Sequence, residues 1–324
     1  MSICRGLSLC VALICAVWAF GALYYDFLVW KKEVAWIFLV AVVAARIFLH
    51  GAAKRTGVIS AAFVVVLAWW LTLKPRNDRH WQPDVAETAW AEIKGDEVTL
   101  HNVRNCDFRS ETDYTPHWET RTVRLSQLTG IDMAITYWGS PWMAHPIVSF
   151  QFADALPVCF SIETRKEIGE SYSAIGGLYR QYELIYIVAD ERDVIRVRTN
   201  YRQGEEVYLY RLTATPAQVR ERFLEYVHTL NALHEKPRWY NAITTNCTTN
   251  IRTQHPSSER APWDWRILLN GKGDELMFER HALATGGLPF AELKKQALIN
   301  AAAQSADTAP DFSRRIREAA LGFE

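Results

Sequence analysis

Cys247 lies in the run Trp239-Tyr240-Asn241-Ala242-Ile243-Thr244-Thr245-Asn246-Cys247-Thr248-Thr249-Asn250-Ile251, with a polar, turn-prone stretch before it and a helix-compatible segment after it. Asn246 is a residue type suited to a helix N-cap, which puts Cys247 in the first turn of a helix. The positive end of a helix dipole favours the thiolate, the form of cysteine that attacks a carbonyl carbon. Such a residue does acyl transfer or hydrolysis through a thioester. The competing reading is a small buried thiol, since free cysteine is among the most buried residue types. The polar neighbours of Cys247 speak against an apolar core at this point.

A thiolate enzyme needs a base and often a polar group to orient it. Nine histidines compete for that role. His50 and His80 flank the apolar N-terminal part, and His101 and His117 fall in or near early strands. His228 and His234 belong to a helix, His255 precedes Pro256, and His281 sits in a charged stretch. His145 opens a strand in an aromatic setting that includes Tyr137, Trp138, Trp142 and Phe150. Taken with Cys247, it is the leading base. The next strand alternates, so Ser161, Glu163 and Arg165 share one face at period two. Glu163 is placed to hold the second imidazole nitrogen as the third member of a triad. The alternative is that Glu163 and Arg165 form a solvated strand face, and Arg165 is also suited to a substrate phosphate or carboxylate. The Cys247 backbone N–H, with Asn246 or Tyr240, supplies candidate oxyanion donors.

These residues need a scaffold, and the chain from about Trp81 reads as one α+β domain. Strands are expected over 97–108, 118–128, 131–138, 145–152, 157–163, 183–189, 194–199 and 207–212, with a polar turn at 190–193. A helix opens at Thr215-Pro216 and carries Val219, Phe223, Tyr226, Val227 and Leu230 at helical spacing. Residues after Gly287 read as one or two amphipathic helices.

The first seventy-odd residues differ. Three apolar segments, 7–25, 34–49 and 58–73, are separated by the charged patches Lys31-Lys32-Glu33 and Lys54-Arg55 and followed by another from Lys74 to Arg79. A spanning helix needs roughly 17–25 apolar residues, so the first segment suffices and the other two are near the short limit. A cleaved signal peptide has one short apolar core, not three. The reading is an anchor of three transmembrane helices, with two as the alternative. Arg46 snorkels towards an interface or marks a segment that does not face lipid. Counting Lys and Arg slightly favours a cytoplasmic face for the large domain.

The 324 residues carry 36 basic and 36 acidic side chains, so there is no electrostatic footprint for nucleic acid. Six cysteines include no CxxC pair or Cys/His metal spacing, and no Gly-rich phosphate loop is present. No cofactor is expected. Cys106 and Cys159 are a possible disulfide.

The ordered set VRNCDFRSETDY, WETRTVRL, AHPIVSF, FSIETRKE, YELIYIVADERDVIRVRTN and WYNAITTNCTTNI resembles the DUF4105 family, the extracytoplasmic catalytic domain of the bacterial transferase that N-acylates lipoproteins to their lyso form. The likeness runs from about residue 95 into the C-terminal tail (INAAAQSAD, DFSRRIREA). An early His strand and a late Asn-Cys helix also resemble circularly permuted NlpC/P60 (papain-like) enzymes. The resemblance implies Cys247 as nucleophile, His145 as base, Glu163 as third residue and an antiparallel sheet. It implies a multi-pass bacterial inner-membrane protein with its catalytic domain in the periplasm. The expected organisation is an anchor over 1–78, the cysteine-enzyme domain over 79–285 and a helical tail over 286–324 packing on it. The expected activity is acyl transfer from a membrane lipid or lipoprotein ester, with a lipoprotein N-terminus as a possible acceptor. The alternatives are a cysteine peptidase or amidase on cell-wall peptides and a non-catalytic, membrane-tethered binding protein. An apolar cleft would separate the lipid reading from the peptide one.

Overall fold

The computed structural model describes residues 2–27, 30–254, 260 and 262–318. His255 and tail residues 319–324 lie outside the described residues. The chain divides into two compact units.

The first unit comprises residues 1–78, 170–183 and 238–242. Its helices are α1 (Ser2–Asp26), α2 (Lys31–Phe48) and α3 (Ala52–Thr72). Small side chains let them approach closely: Ala12, Ala16, Ala19 and Ala22 of α1 and Ala35 of α2 are buried. Trp18 meets Trp70 edge-on at 5.1 Å and Phe63 at 5.9 Å. Outward, Ile14, Val17, Ile37, Val40 and Val65 are exposed, as lipid-facing residues are. Residues 7–26 and 52–72 are long and apolar enough to cross a membrane. Helix α2 does not meet that criterion, because Lys31, Lys32 and Glu33 fall inside its first turn and Arg46 inside its last. Three helices therefore form as expected, and two of them are candidate spans.

The second unit holds a sheet built from β1 (Trp90–Lys94), β2 (Glu97–Arg104), β5 (Trp118–Arg124), β6 (Leu128–Trp138), β7 (Ala144–Phe152), β8 (Val158–Arg165), β9 (Glu183–Ala189) and β10 (Glu205–Arg211), in the order β1-β2-β9-β8-β7-β6-β10 with β5 also on β2. Short strands β3 (Asp107–Phe108) and β4 (Tyr114–Thr115) pair separately. The expected antiparallel sheet is mixed: β2 meets β9 in parallel at Arg104 and Ala189. The remaining helices are α4 (Glu191–Val194), α5 (Pro216–Glu235), α6 (Cys247–Gln254), α7 (Gly273–Glu279), α8 (Phe290–Ala297), α9 (Asn300–Ser305) and α10 (Phe312–Arg315).

Helix α5 starts where its residues dictate. Thr215 accepts from the Gln218 N–H, and the Gln218 side chain caps Thr215 in return. Its apolar stripe covers one sheet face, where Phe223 and Tyr226 lie 5.0–6.0 Å from the rings of Phe150 and Phe160. The other face is covered by the tail. Ile299, Ala303, Phe312 and Ile316 pack with Ala134, Ile147, Cys159 and Ile187. Arg317 pins the tail through hydrogen bonds of 2.8 Å to buried Asp132 and 2.7 Å to buried Glu191. The tail forms three short helices rather than one or two, because its backbone turns aside to pair Ile299 N–H with Val207 C=O on β10.

Residues 194–199 are not the expected strand, nor is 190–193 a polar turn. Asp190 caps α4 through the Asp193 N–H at 3.1 Å, and a π-helical turn follows over Val197–Tyr201. The tertiary setting overrides β-branched propensity here. Asp193 is buried against Arg104 at 3.0 Å, a pairing that a helical turn permits. Cys106 and Cys159 are free thiols, not a disulfide.

Candidate functional site

Cys247 is the first residue of α6, and Asn246 is its cap. The Asn246 Oδ1 accepts the Thr249 N–H at 2.9 Å, and the Thr249 Oγ1 accepts the Asn246 N–H at 2.9 Å. This reciprocal arrangement fixes the start of a helix rich in poor helix formers such as Thr248, Thr249 and Asn250. It also commits the Asn246 amide oxygen to capping. Tyr240, the other suggested oxyanion donor, belongs to the first unit, where its backbone N–H donates to the Tyr182 carbonyl at 2.9 Å.

The thiol is buried. Asn270 Nδ2 donates to it at 3.5 Å and to Thr248 Oγ1 at 3.0 Å, while Asn270 Oδ1 accepts the Ala144 N–H at 2.9 Å. One amide thus ties the cysteine helix to the start of the histidine strand. Burial pushes the Cys247 pKa up from its ordinary value, and the hydrogen bonds from Thr248 and Asn270 pull against that. Sequence reasoning missed Asn270. Its signal was the Asn270-Gly271 pair: a Cβ on Gly271 would collide with the backbone of Pro141, Trp142 and Met143.

Next to Cys247, and reached through its neighbour Thr248 and its hydrogen-bond partner Asn270, lies a cavity of about 320 Å³ that Cys247 itself does not line. Its walls are mainly apolar, from Met133, Ile135, Pro146, Ile251, Leu276 and Met277, with Thr248 and Asn270 also lining it. Arg252, Arg266 and Arg280 contribute its charged wall.

His145, Ser161 and Glu163 do come together. His145 Nε2 is 2.7 Å from Ser161 Oγ, and Ser161 Oγ donates to Glu163 Oε1 at 2.7 Å. Arg198, from the π-helical turn, donates to the same carboxylate oxygen at 3.0 Å. Glu163 is held well below the usual carboxylate range: burial pushes it up most strongly, but Arg198, with His145, Arg104 and the Ser161 hydrogen bond, together outweigh that cost. Ser161 has one proton and gives it to Glu163. His145 Nε2 must therefore carry hydrogen and donate to Ser161, leaving Nδ1 as the basic nitrogen. Burial, reinforced by Arg198, lowers the His145 pKa from 6.5 to about 3, with Glu163 opposing. Glu163 is thus neither a solvated face residue nor in direct hydrogen-bond contact with the imidazole, from which it stands 3.8 Å away.

The structure does not bring His145 to Cys247. The register Thr136–His145 and Ile147–Ser161 places His145 and Ser161 on the tail-covered face. The pleat points Pro146, Ile135 and Met133 the other way, into the cavity. Cys247 stands on that second side, at the start of α6, whose next residue Thr248 lines the same cavity as Pro146 and Ile135. The Cys247 thiol hydrogen-bonds to Thr248 and Asn270. Arg165 is likewise corrected as a substrate-binding residue: it is buried, donates to the Val85 carbonyl at 2.9 Å and the Ala86 carbonyl at 2.5 Å, and lies over the Trp81 ring. Among the described residues, no cluster of three or more His, Cys, Asp or Glu could hold a metal ion.

Residues 114–271 match the family model of the Lnb N-terminal periplasmic domain. The matched stretch holds both the Cys247 helix and the His145 strand. This stretch is similar to an Lnb periplasmic domain, and apolar helices that fit a membrane anchor precede it in this chain. Neither the curated proteins nor the solved structures give a match.

Proposed function

We propose that this protein is a membrane-anchored, thiol-dependent acyltransferase that seats the acyl chain of a lipid or lipoprotein ester in the cavity beside Cys247. The observation that carries the reading is the apolar wall of that cavity next to a cysteine at a helix N-terminus. A peptidase or amidase on cell-wall peptides would need a cleft lined by hydrogen-bonding groups for a polar backbone, so the apolar wall argues against it. In the proposed reaction the Cys247 sulfur bonds to the ester carbonyl carbon, and the departing alcohol takes the thiol proton. An amine, such as a lipoprotein N-terminus, then attacks the thioester, and its proton restores the thiol. Asn270 Nδ2 and the helix N-terminus stabilise charge at the sulfur and the carbonyl oxygen. The proposal retains the permuted papain-like chain order, with the imidazole strand before the thiol helix. It assigns His145, Ser161 and Glu163 to a supporting network, not to direct proton transfer with Cys247.

A second reading, a lipid-binding protein without chemistry, is favoured by one observation: the buried thiol has no imidazole partner among the described residues. Incubating the full-length protein in phospholipid nanodiscs with a lipid bearing an alkyne-tagged acyl chain separates the two. Acyl transfer leaves a hydroxylamine-sensitive adduct on Cys247, absent in Cys247→Ala and reduced in the cavity-filling Met277→Trp. Reversible retention of the lipid by wild type and Cys247→Ala alike, with no adduct, would establish binding alone.

A further inference from the structure

We propose that segment 170–183, which connects β8 to β9, is an interfacial membrane loop whose 3₁₀ turn seats Ile175 and Leu178 among lipid acyl chains beside α1 and α3. The inference is independent of the thiol chemistry.

The first observation is depth. Within the first unit, the loop does not merely cover the helix ends. Arg180 N–H donates to both carboxylate oxygens of Asp26 at 3.1 Å, at the last residue of α1. The Arg180 guanidinium donates to the Trp70 carbonyl at 2.6 Å and the Leu73 carbonyl at 3.0 Å, and lies 3.8 Å over the Trp70 ring. Tyr179 goes further in. Its ring stacks on Tyr25 at 5.4 Å and approaches Trp18 at 6.1 Å. A Cβ on Gly21 would collide with its hydroxyl, so glycine at that position makes room for it. At 1.5 Å per residue, Gly21 lies about 7 Å and Trp18 about 12 Å from Asp26 along the helix axis. Residues 7–26 form a candidate span, so Tyr179 sits inside its apolar length.

The second observation is backbone satisfaction. Irregular chain in an apolar medium must pair its own N–H groups, because no water is there to do it. Here Gly177 N–H bonds Ser173 C=O at 2.9 Å, Leu178 N–H bonds Ile175 C=O at 3.0 Å and Tyr179 N–H bonds Gly176 C=O at 3.0 Å. Gly176 N–H reaches Ser173 Oγ at 3.1 Å, and Ser173 N–H reaches the Tyr182 hydroxyl at 2.9 Å. That hydroxyl donates to Ser171 C=O at 2.7 Å. The Gly177 carbonyl accepts the Ala242 N–H at 2.7 Å. These bonds satisfy part of the loop's backbone within the protein.

The third is what remains outside. Ile175 is 59% exposed and Leu178 42% exposed, at the two ends of the turn next to Tyr179. An apolar pair continuous with a candidate spanning helix fits lipid as its partner.

The test uses the full chain in phosphatidylethanolamine–phosphatidylglycerol nanodiscs. Cys4, Cys10, Cys15 and Cys247 are replaced by serine, and the buried Cys106 and Cys159 are kept. Single cysteines at Ile175→Cys and Leu178→Cys carry an environment-sensitive fluorophore, with Val65→Cys as the lipid reference and Asp113→Cys as the water reference. We expect fluorophores at 175 and 178 to be quenched by doxyl-labelled phospholipid at least half as strongly as the one at 65, and protected from aqueous iodide several-fold relative to 113. Iodide quenching equal to that at 113 would overturn the proposal. So would protection from both quenchers, which would mean that protein covers the pair. Quenching of the fluorophore at 65 by iodide would remove the membrane setting and the proposal with it.

Discussion

The His145 network makes a measurable statement about pH. The folded imidazole has its pKa lowered to about 3, by burial first and Arg198 next, against 6.5 for the free side chain. The sign follows from linkage. Above pH 6.5 neither folded nor unfolded chain binds a proton here, and full stability is present. As pH falls from 6.5 towards 3 the unfolded chain takes up a proton that the folded chain refuses, so stability is lost across that window. At pH 5 about 97% of unfolded chains and only about 1% of folded ones would carry it, a loss of about 2 kcal/mol relative to pH 7.5. His145→Gln keeps a donor for Ser161 Oγ and removes the titration. The assay is urea unfolding of the detergent-solubilised full chain, followed by tryptophan fluorescence, at pH 7.5 and 5.0 for both proteins. Wild type should lose about 2 kcal/mol more than the variant between the two pH values. Comparing the two proteins cancels the other titrating groups, including Glu163, whose lowered pKa confines its own loss of stability to pH below about 4.5. Equal losses in wild type and variant would refute the buried, neutral imidazole and the Nε2–H tautomer with it.

Other outcomes follow from the same geometry. Asn246→Ala removes the side-chain half of the cap on α6, the Oδ1 that accepts the Thr249 N–H, and should cost about 1 kcal/mol of stability, read as a lower urea midpoint with unchanged slope. Alkylation of Cys247 should show a midpoint above the ordinary thiol value, because burial raises its pKa, and Asn270→Ala should move it higher still. A midpoint near neutrality, tracked by mass spectrometry, would show that an imidazole reaches the thiol after all. Asp132→Ala should destabilise the protein by about 3–5 kcal/mol, since it leaves Arg211 and Arg317 without their shared buried carboxylate. Retention of the wild-type urea midpoint would contradict the tail anchorage described above.

Local chemistry was legible in the sequence wherever one segment decided the outcome. Asn246 caps α6 and puts Cys247 at its first position, because the capping hydrogen bonds span only three residues. Thr215-Pro216 starts α5 for the same reason, and alternating apolar residues place β6, β7 and β8 close to their expected bounds. The three apolar N-terminal stretches became three helices, since none of them contains a proline or a turn-forming polar run. What the sequence could not decide was which segments meet. Period two correctly aligned Ser161 with Glu163, but it could not tell a solvated face from one sealed by the tail and Arg198. It could not show that Ser161 stands between His145 and Glu163, or that Arg165 turns inward to two backbone carbonyls. The helical turns over 191–201 replaced an expected strand, because pairing buried Asp193 with Arg104 matters more than β-branched propensity. Above all, only the tertiary structure set Cys247 and His145 on opposite sides of the sheet and opened an apolar cavity beside the thiol. Side-chain direction on a strand is fixed by register, and register is a property of the folded sheet, not of the residues taken one strand at a time.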